Sequence, residues 1–379
     1  MDFEFSDEQE MLRDSVRRWV ERGYTIERRR GISKAGGYSA EAWRELAELG
    51  LPGLAVPQEQ GGLGFGPVEA MVVMEELGRG IVLEPFAPVA LVAVDLLRQG
   101  APAVAEPRLR AIAEGGELVV VAHQERTARY RLAHVETKAT RSGHAYALRG
   151  TKTVVPAGAH ASAFIVPARR TGDIDEAGGV GLYLVEAKTP GVSVRGYPTQ
   201  DGAAAADLVL AGADAVELIA PGAAFDALER SLDVGIAAIC AEAVGAMDKL
   251  VAYTVEYMNT RKQFGVPIAT FQALRHRIAD VKMQLELARS MSYFATLKLN
   301  EPAEPRRRAL SQAKVQLGQS MRFVGQQCIQ LHGGIGVTDE YVAGHYFKRL
   351  TVLEMTYGDT LHHLGEVSAR MQDTAGVFA

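Results

Sequence analysis

The hydrophobic pattern of this sequence changes its period twice, and this change limits the folds available to the chain. From Ser6 to about Glu114, apolar residues recur every three to four positions, as they do on one face of a helix. From about Glu117 to Ala220 the period becomes two, in short β-rich runs separated by Gly, Pro, Asp and Thr. From Pro221 onward the pattern is helical again. It therefore predicts a helical segment, a sheet and a second helical segment, in that order.

The helical segments carry their own local signals. Ser6 followed by Gln9 predicts a capping box, and Ser39 predicts the start of another helix. Residues 223–260 predict one helix of about 38 residues, roughly 57 Å long at 1.5 Å per residue. Further helices are predicted at 271–299, 305–331 and 339–372. Helices this long are usually stabilised by packing against one another, so we expect a four-helix bundle.

The middle segment contains seven β-rich runs within roughly 100 residues, and no helical pattern alternates with them. This arrangement favours an antiparallel barrel or sandwich over a doubly wound parallel sheet. The predicted fold class is therefore α+β and multidomain. We expect an N-terminal helical domain at 1–116, a central β domain at 117–220 and a C-terminal helical bundle at 221–379.

Composition excludes several classes of function. With 47% hydrophobic and 23% charged residues and a net charge of −5, the chain lacks the basic surplus typical of nucleic-acid binding. The acidic, polar start does not match a signal peptide, and the apolar stretch Val234–Met247 is too short to cross a membrane. Cys240 and Cys328 form no CxxC pair, so we expect no disulfide framework and no metal site. A cytoplasmic protein is the expectation.

Two motifs in the C-terminal segment have the chemistry of dinucleotide binding. The first reads Arg261-Lys262-Gln263-Phe264-Gly265, and the second, roughly 65 residues later, reads Gln330-Leu331-His332-Gly333-Gly334-Ile335-Gly336. A guanidinium at a helix end can bind a pyrophosphate, and glycines allow the backbone to approach a ligand closely. The same residues would also suit helix capping and surface charge.

Together with the order helix, sheet, bundle, these motifs resemble the FAD-dependent acyl-CoA dehydrogenase family over essentially the whole chain. In that family the two motifs hold the ADP part of an FAD whose flavin ring rests on the neighbouring chain's β domain. The resemblance implies an oligomer, because one chain cannot complete the site. By resemblance, the FAD contacts are Arg261, Gln263, Phe264, Gln272, Gln330, Gly333 and Gly334.

The sequence departs from the family pattern where the flavin ring would be received. A glycine-rich loop of the family is replaced by residues 124–131, in which Thr127, Arg129 and Tyr130 stand in place of small residues. Val154 replaces a tryptophan that packs beside the flavin in the family. Pro156 replaces a threonine and has no N–H to donate. The flavin-receiving half of the site is therefore predicted to be altered.

The catalytic base of the family is also missing. By resemblance, the base is a glutamate at the position of Gly358 or, in some relatives, at that of Gly235, and glycine cannot accept a proton. Asp359 is the candidate for a displaced catalytic base, and Asp233 is a second candidate. Both carboxylates would equally suit a helix cap or a helix surface.

The resemblance implies FAD-dependent α,β-dehydrogenation of an acyl-CoA thioester, with electrons passed to an electron-transfer flavoprotein. Because cofactor contacts are kept while the base is lost, the chain is similar to one subunit of a heteromeric α2β2 dehydrogenase, such as chains called the small subunit of pimeloyl-CoA dehydrogenase. Two other interpretations are open. The chain could be a homo-oligomeric dehydrogenase that uses Asp359, or it could be a flavin oxygenase or cofactor-free interaction subunit of the same fold.

Overall fold

A computed structural model describes residues 5–371. These residues divide into two compact units, which are described separately. The first unit, which is helical, contains the residues up to Arg29, the segment Pro67–Val82 and the residues from Ile236 onward. The second unit contains Arg30–Gly66 and Leu83–Gly235, and it holds the large sheet. The domain boundaries predicted from the sequence stay a prediction.

The described residues form the helices α1 (Asp7–Gly23), α2 (Ile26–Lys34), α3 (Ala40–Glu48), α4 (Pro67–Arg79), α5 (Val94–Gln99), α6 (Pro102–Ala113), α7 (Ala224–Thr260), α8 (Gln272–Lys298), α9 (Ala303–His332), α10 (Val342–Met355) and α11 (Thr360–Met371). The helices predicted at 223–260, 271–299 and 305–331 correspond to α7, α8 and α9, whose ends differ from the predicted limits by at most two residues. The predicted capping box is present, since Ser6 Oγ accepts a hydrogen bond from the Gln9 N–H and the Ser6 N–H donates to Gln9 Oε1. Ser39 caps α3 as predicted.

The helical unit is organised around α9, which packs against α8, α10 and α11. Its second feature is the close crossing of α4 and α7. A Cβ atom on Gly78 would lie 2.1 Å from the backbone oxygen of Glu242, and one on Gly245 would lie 1.8 Å from that of Glu75. The two helices therefore touch backbone to backbone, which requires glycine at both positions. The crossing also holds the side chains of Glu75 and Glu242 in the interior, where both residues are buried.

The single helix predicted over 339–372 was wrong, because the structure has α10 and α11 with a break between them. Tyr357 and Gly358 in the break have φ angles of +56° and +112°, which no α-helix allows. Buried Lys314 of α9 stabilises the break, since its ammonium donates hydrogen bonds to the backbone oxygens of Leu353, Glu354 and Gly358 at 2.7 to 3.1 Å. The predicted end at Gln372 lies outside the described residues.

The sheet of the second unit closes on itself. Its strands are β1 (Val119–Val121), β2 (Lys138–Ser142), β3 (Ala145–Pro156), β4 (Ala163–Arg169), β5 (Val180–Glu186), β6 (Val192–Pro198) and β7 (Ala204–Ile219). Pairing runs from β4 through β2, β3, β7 and β5 back to β4, while β1 pairs with β4 and β6 with β7. This arrangement is a barrel, one of the two alternatives, barrel or sandwich, predicted from the period-two pattern. Most pairs are antiparallel, but β1 and β2 run parallel to β4.

Two details of the strand prediction were wrong. The runs HAYALRG and TKTVV form the single strand β3, whose pairing with β7 shifts register between Leu148 and Arg149 and between Lys152 and Val155. Strand β2 was missed because its residues are mostly polar and four of its five side chains are exposed. The fold class itself is confirmed: along the chain, a helical N-terminal part precedes a central β region and a helical C-terminal part follows it. Within residues 5–371, no helix is both long and apolar enough to cross a membrane.

Candidate functional site

The two C-terminal motifs lie side by side in the helical unit. His332, in the last turn of α9, stacks on Tyr257, in the last turn of α7, with ring centroids 4.7 Å apart. Leu331 also shares a buried cluster with Met258 and Ile268. Apolar packing thus joins the helix end before Arg261 to the turn that follows Leu331.

The first motif forms a tight hairpin after α7. Strands β8 (Lys262–Gln263) and β9 (Val266–Pro267) pair antiparallel, and the two residues between them, Phe264 and Gly265, have φ angles of +53° and +84°. Two positive φ angles are the signature of a type I′ turn. The Phe264 ring is 91% exposed and touches Phe271 only edge-on, at a centroid distance of 6.1 Å. The hairpin therefore presents a large apolar side chain to the surroundings.

Arg261 stands between α7 and this hairpin. Its backbone N–H donates to the Tyr257 oxygen and its own oxygen accepts from the Ile268 N–H, both at 2.8 Å. These bonds fix the backbone while the side chain is exposed, and within the described residues the guanidinium has no ion-pair partner. Its donors are therefore available to a ligand.

The second motif ends α9 and turns the chain. Gly333 has φ +64° and ψ −143°, a conformation suited only to glycine, and its N–H donates to the Gln330 oxygen. A Cβ atom on Gly333 or Gly334 would meet no atom within 4 Å. Gln330, Gln263 and Gln272 are all exposed. The structure thus brings an open glycine turn, amide side chains and a cation to one end of the bundle.

Sequence reasoning missed the roles of His332 and Tyr257. Buried His332 donates from Nδ1 to the Cys328 oxygen at 2.8 Å, while its Nε2 has no hydrogen-bond partner in the described part of the chain. Burial lowers the pKa of His332, so the ring stays neutral and can stack against Tyr257. The sequence feature that could have indicated a role for Tyr257 was its position one helical turn before Arg261, a spacing that places two residues on the same face of a helix.

The position of the missing base is crowded by two histidines. A Cβ atom on Gly358 would lie 2.5 Å from His362 Cδ2 and 2.6 Å from His363 Nε2, and the φ angle of +112° is unfavourable for any other residue. His363 is buried, its Nε2 lies 3.0 Å from the Tyr357 oxygen, and burial lowers its pKa to about 3. Since the Tyr357 oxygen can only accept, Nε2 carries the proton. A glutamate side chain here would have to displace the histidine rings and would strain the backbone.

Asp359, the predicted displaced base, has a structural partner. Its Oδ1 accepts the His362 backbone N–H at 2.8 Å, which is the geometry of an N-cap for α11. Asp233, the second candidate, is buried on α7 at 3% exposure. The arrangement at Asp359 thus matches the capping role considered for it from the sequence.

The loop that follows β1 is anchored by a buried ion pair. Glu125 accepts hydrogen bonds from Lys152 Nζ at 2.6 Å and from the backbone N–H groups of Glu136 and Thr137. Burial by itself raises the pKa of Glu125, but the Lys152 ammonium and these hydrogen bonds hold it below its ordinary value. Burial, together with the nearby Lys152 charge, also lowers the pKa of His123 to about 4.

The backbone N–H of Val154 already has a hydrogen-bond partner within the chain. The Val154 N–H donates to the hydroxyl of Tyr197 at 3.1 Å, and that hydroxyl donates to Asp207 Oδ1 at 2.8 Å. Val154 itself has a φ angle of +52°. Pro156, two residues later, has no N–H. This edge of the barrel offers little backbone hydrogen bonding to a ligand.

Comparison with known proteins decides the family. Family models for the N-terminal, middle and C-terminal domains of acyl-CoA dehydrogenases match residues 6–116, 121–211 and 224–372. The chain belongs to the acyl-CoA dehydrogenase family. Members of this family are FAD-dependent oxidoreductases.

Individual relatives of this acyl-CoA dehydrogenase chain are distant but cover nearly its full length. The acryloyl-CoA reductase (NADH) of Anaerotignum propionicum is 27% identical over 96% of this chain and 94% of its own. The caffeyl-CoA reductase–Etf complex subunit of Acetobacterium woodii is 25% identical over 93% and 95%. The solved ChsE4–ChsE5 complex of Mycobacterium tuberculosis contains a chain that is 27% identical, with a TM-score of 0.89 over 98% and 99%.

The two halves of the family's cofactor site differ in how they fit FAD. Around Arg261 and Gly333 the fit is good, because an unpaired guanidinium lies near an open glycine turn where a pyrophosphate could approach the backbone. Around Val154 the fit is poor, because Tyr197 already accepts the Val154 N–H and Pro156 has no N–H. The exposed guanidinium and the open turn around Arg261 and Gly333 thus fit the ADP part of FAD better than the residues around Val154 fit its flavin ring.

Proposed function

We propose that this chain is the cofactor-lending subunit of a heteromeric acyl-CoA dehydrogenase. The assembly would carry out FAD-dependent α,β-dehydrogenation of an acyl-CoA thioester, and the partner chain would supply the catalytic base. The observation that carries the proposal is the crowding at Gly358, where His362 and His363 occupy the space that a base side chain would need. A chain with this arrangement cannot supply a base from the family's usual position.

The residues of the chain have defined roles in this proposal. Arg261 would form charge-assisted hydrogen bonds to the cofactor pyrophosphate, and the Gly333–Gly334 turn would let the backbone approach it. Gln263, Phe264, Gln272 and Gln330 would contact the rest of the ADP part. Bound FAD supplies the hydride acceptor, and this chain positions it.

The exposed Phe264 side chain on the β8–β9 hairpin supports the proposal of a partner chain. Phe264 is 91% exposed beside the proposed cofactor contacts, and an aromatic side chain of this kind is typical of a buried position in an interface. The ChsE4–ChsE5 relative is a complex of two chains, and the Acetobacterium woodii relative is named as part of an Etf complex. We therefore propose a second acyl-CoA dehydrogenase chain as the partner and an electron-transfer flavoprotein as the electron acceptor.

The flavin-to-chain ratio tests this proposal directly. The chain is expressed alone and together with a candidate partner chain of the acyl-CoA dehydrogenase family, and flavin absorbance is compared with protein concentration. We expect the isolated chain to purify without flavin and the complex to hold one FAD per pair of chains. The complex, and not the isolated chain, should then reduce its flavin anaerobically when an acyl-CoA is added.

A yellow isolated chain that reduces its flavin with an acyl-CoA would overturn the proposal, since the chain would then have its own base. In that case Asp359→Asn would identify whether the displaced carboxylate is that base. Oxygen consumption with a hydroxylated product would instead indicate flavin oxygenase chemistry on the same fold.

A further inference from the structure

We propose that a cleft in the helical unit, enclosed by α1, α4, α7 and α8, binds a small oxyanion with a sulfate-like, phosphate-like or carboxylate group. The cleft has a volume of about 210 Å³. It is lined by charged side chains that include Arg13, Arg17, Glu75, Glu76 and Arg289. The inference does not depend on the proposed function, because none of these residues belongs to the cofactor contacts.

The first observation is an incomplete hydrogen-bond set on Glu75. This side chain is 8% exposed, and its Oε1 is buried with no hydrogen-bond partner among residues 5–371. Its Oε2 lies 3.7 Å from Arg289 Nη1, which is beyond hydrogen-bond distance. Buried polar atoms in folded proteins nearly always have a partner, so Glu75 requires one from outside the described residues. That partner is a donor when Glu75 is a carboxylate and an acceptor, such as an oxyanion, when Glu75 carries a proton. The cleft has roughly seven times the ~30 Å³ that one water occupies, so it can hold more than a single solvent molecule.

The second observation is that the other two carboxylates of the cleft are already paired. Glu76 accepts two hydrogen bonds from Arg17, at 2.7 and 3.1 Å. Asp248 pairs with Arg79 and with Arg289, the latter at 3.3 Å. A cation entering the cleft would therefore meet guanidinium groups and no unpaired carboxylate other than Glu75.

Two arginines of the cleft, Arg13 and Arg17, keep N–H groups that can donate hydrogen bonds to an anion. Arg17 uses Nε and Nη2 on Glu76, and Arg13 uses Nη1 on Glu10, so each keeps further N–H groups that form no hydrogen bond within the described ranges. Glu10 is half-exposed and its charge is screened by water. Guanidinium forks match the geometry of carboxylate and phosphate oxygens.

The protonation state of Glu75 makes anion binding in the cleft depend on pH. Burial raises the pKa of Glu75 to about 7, with Arg289 and Arg13 opposing the rise. Below this pH the acid form carries an O–H that can donate to an anion, and above it the carboxylate repels one. The other charged or titratable groups that face Glu75 are Arg13 and Arg17 on α1, Glu76 and Arg79 on α4, Asp248 on α7, and Arg289 and Tyr293 on α8.

Calorimetric titration of the full chain, without flavin or partner, tests the proposal. The probes are sodium sulfate and sodium acetate, because neither anion changes its charge between pH 6 and 8.5, and the two distinguish a tetrahedral oxyanion from a carboxylate. Potassium chloride at matched ionic strength gives the reference. We expect one saturable site for at least one of the two probes, with affinity about tenfold weaker at pH 8.5 than at pH 6.

Three variants identify the site. Arg13→Gln is expected to weaken binding about tenfold, while Arg18→Gln, an exposed arginine of the same helix outside the cleft, should bind as the wild type does. Glu75→Gln should bind equally well at both pH values. The proposal is overturned if sulfate and acetate both give the same heats as chloride, or if wild-type binding does not change with pH. It is also overturned if Arg13→Gln, folded by circular dichroism, binds as the wild type does.

Discussion

The ring of His332 lies against the ring of Tyr257, with centroids 4.7 Å apart and planes tilted by 31°. The contact joins the ends of α7 and α9, which the sequence separates by more than 70 residues. Its effect is to hold Arg261 near the open turn at Gly333 without any direct bond between them. The residues proposed to bind the ADP part of FAD therefore lie together at one end of this chain's helical unit.

Replacing Arg261 should weaken flavin retention in the two-chain complex. Arg261→Gln removes a charged donor, and hydrogen bonds to charged groups are worth about 1.5–3 kcal/mol, so FAD should bind about 10- to 100-fold more weakly. The flavin-to-protein absorbance ratio after dialysis measures the effect. Arg98→Gln, at another exposed arginine, should retain flavin fully. Equal retention by both variants would exclude Arg261 as a cofactor contact.

Introducing glutamate at Gly358 should destabilise the chain and should not create a base. The new side chain would need a left-handed backbone and would clash with His362 and His363, at a cost of about 1–3 kcal/mol. Thermal unfolding measures the loss for Gly358→Glu. Gly365→Glu is the matched control, because a Cβ atom there meets nothing within 4 Å. Unchanged stability together with acyl-CoA-dependent flavin reduction in the variant would contradict this prediction.

Removing Lys152 should destabilise the barrel strongly. Lys152 is fully buried and Glu125 is 3% exposed, so Lys152→Ala leaves an uncompensated carboxylate in the interior, with an expected loss of about 3–5 kcal/mol. Denaturant unfolding measures this loss. The double variant Lys152→Met with Glu125→Gln removes both charges and should recover part of the stability. If the double variant is as unstable as the single one, the ion pair is not the cause.

Glu75→Gln should stabilise the chain at alkaline pH only. The folded-state pKa of Glu75 is raised to about 7 from an ordinary 4.5, so the native state binds a proton more tightly than the unfolded state does. Its contribution to stability is therefore complete below pH 4.5 and is lost as pH rises through 7, by up to about 3 kcal/mol. The free energy of unfolding should be larger for Glu75→Gln than for the wild type at pH 8, and the two should be nearly equal at pH 4.5. A pH-independent difference would contradict the prediction.

Local signals in the sequence predicted much of the fold. The Ser6 capping box, the Ser39 cap and the long apolar period of α7 depend on residues within a few turns of one another, and the structure has all three. The break between α10 and α11 was not predictable in this way. It depends on Lys314, which lies more than 40 residues before Gly358. The ammonium of Lys314 donates hydrogen bonds to the backbone oxygens that the break leaves without a helical partner.

The sequence by itself determined the order of helix, sheet and bundle, the two glycine-containing motifs and the lack of a carboxylate at Gly358, because periodicity and residue type are local properties. Only the tertiary structure decided that His362 and His363 fill the space beside Gly358 and that Tyr197 takes the Val154 N–H. It also decided that Glu75 is left with an unsatisfied oxygen. The physical reason is that burial and hydrogen-bond partners arise from packing between segments far apart in the chain, which no local pattern records.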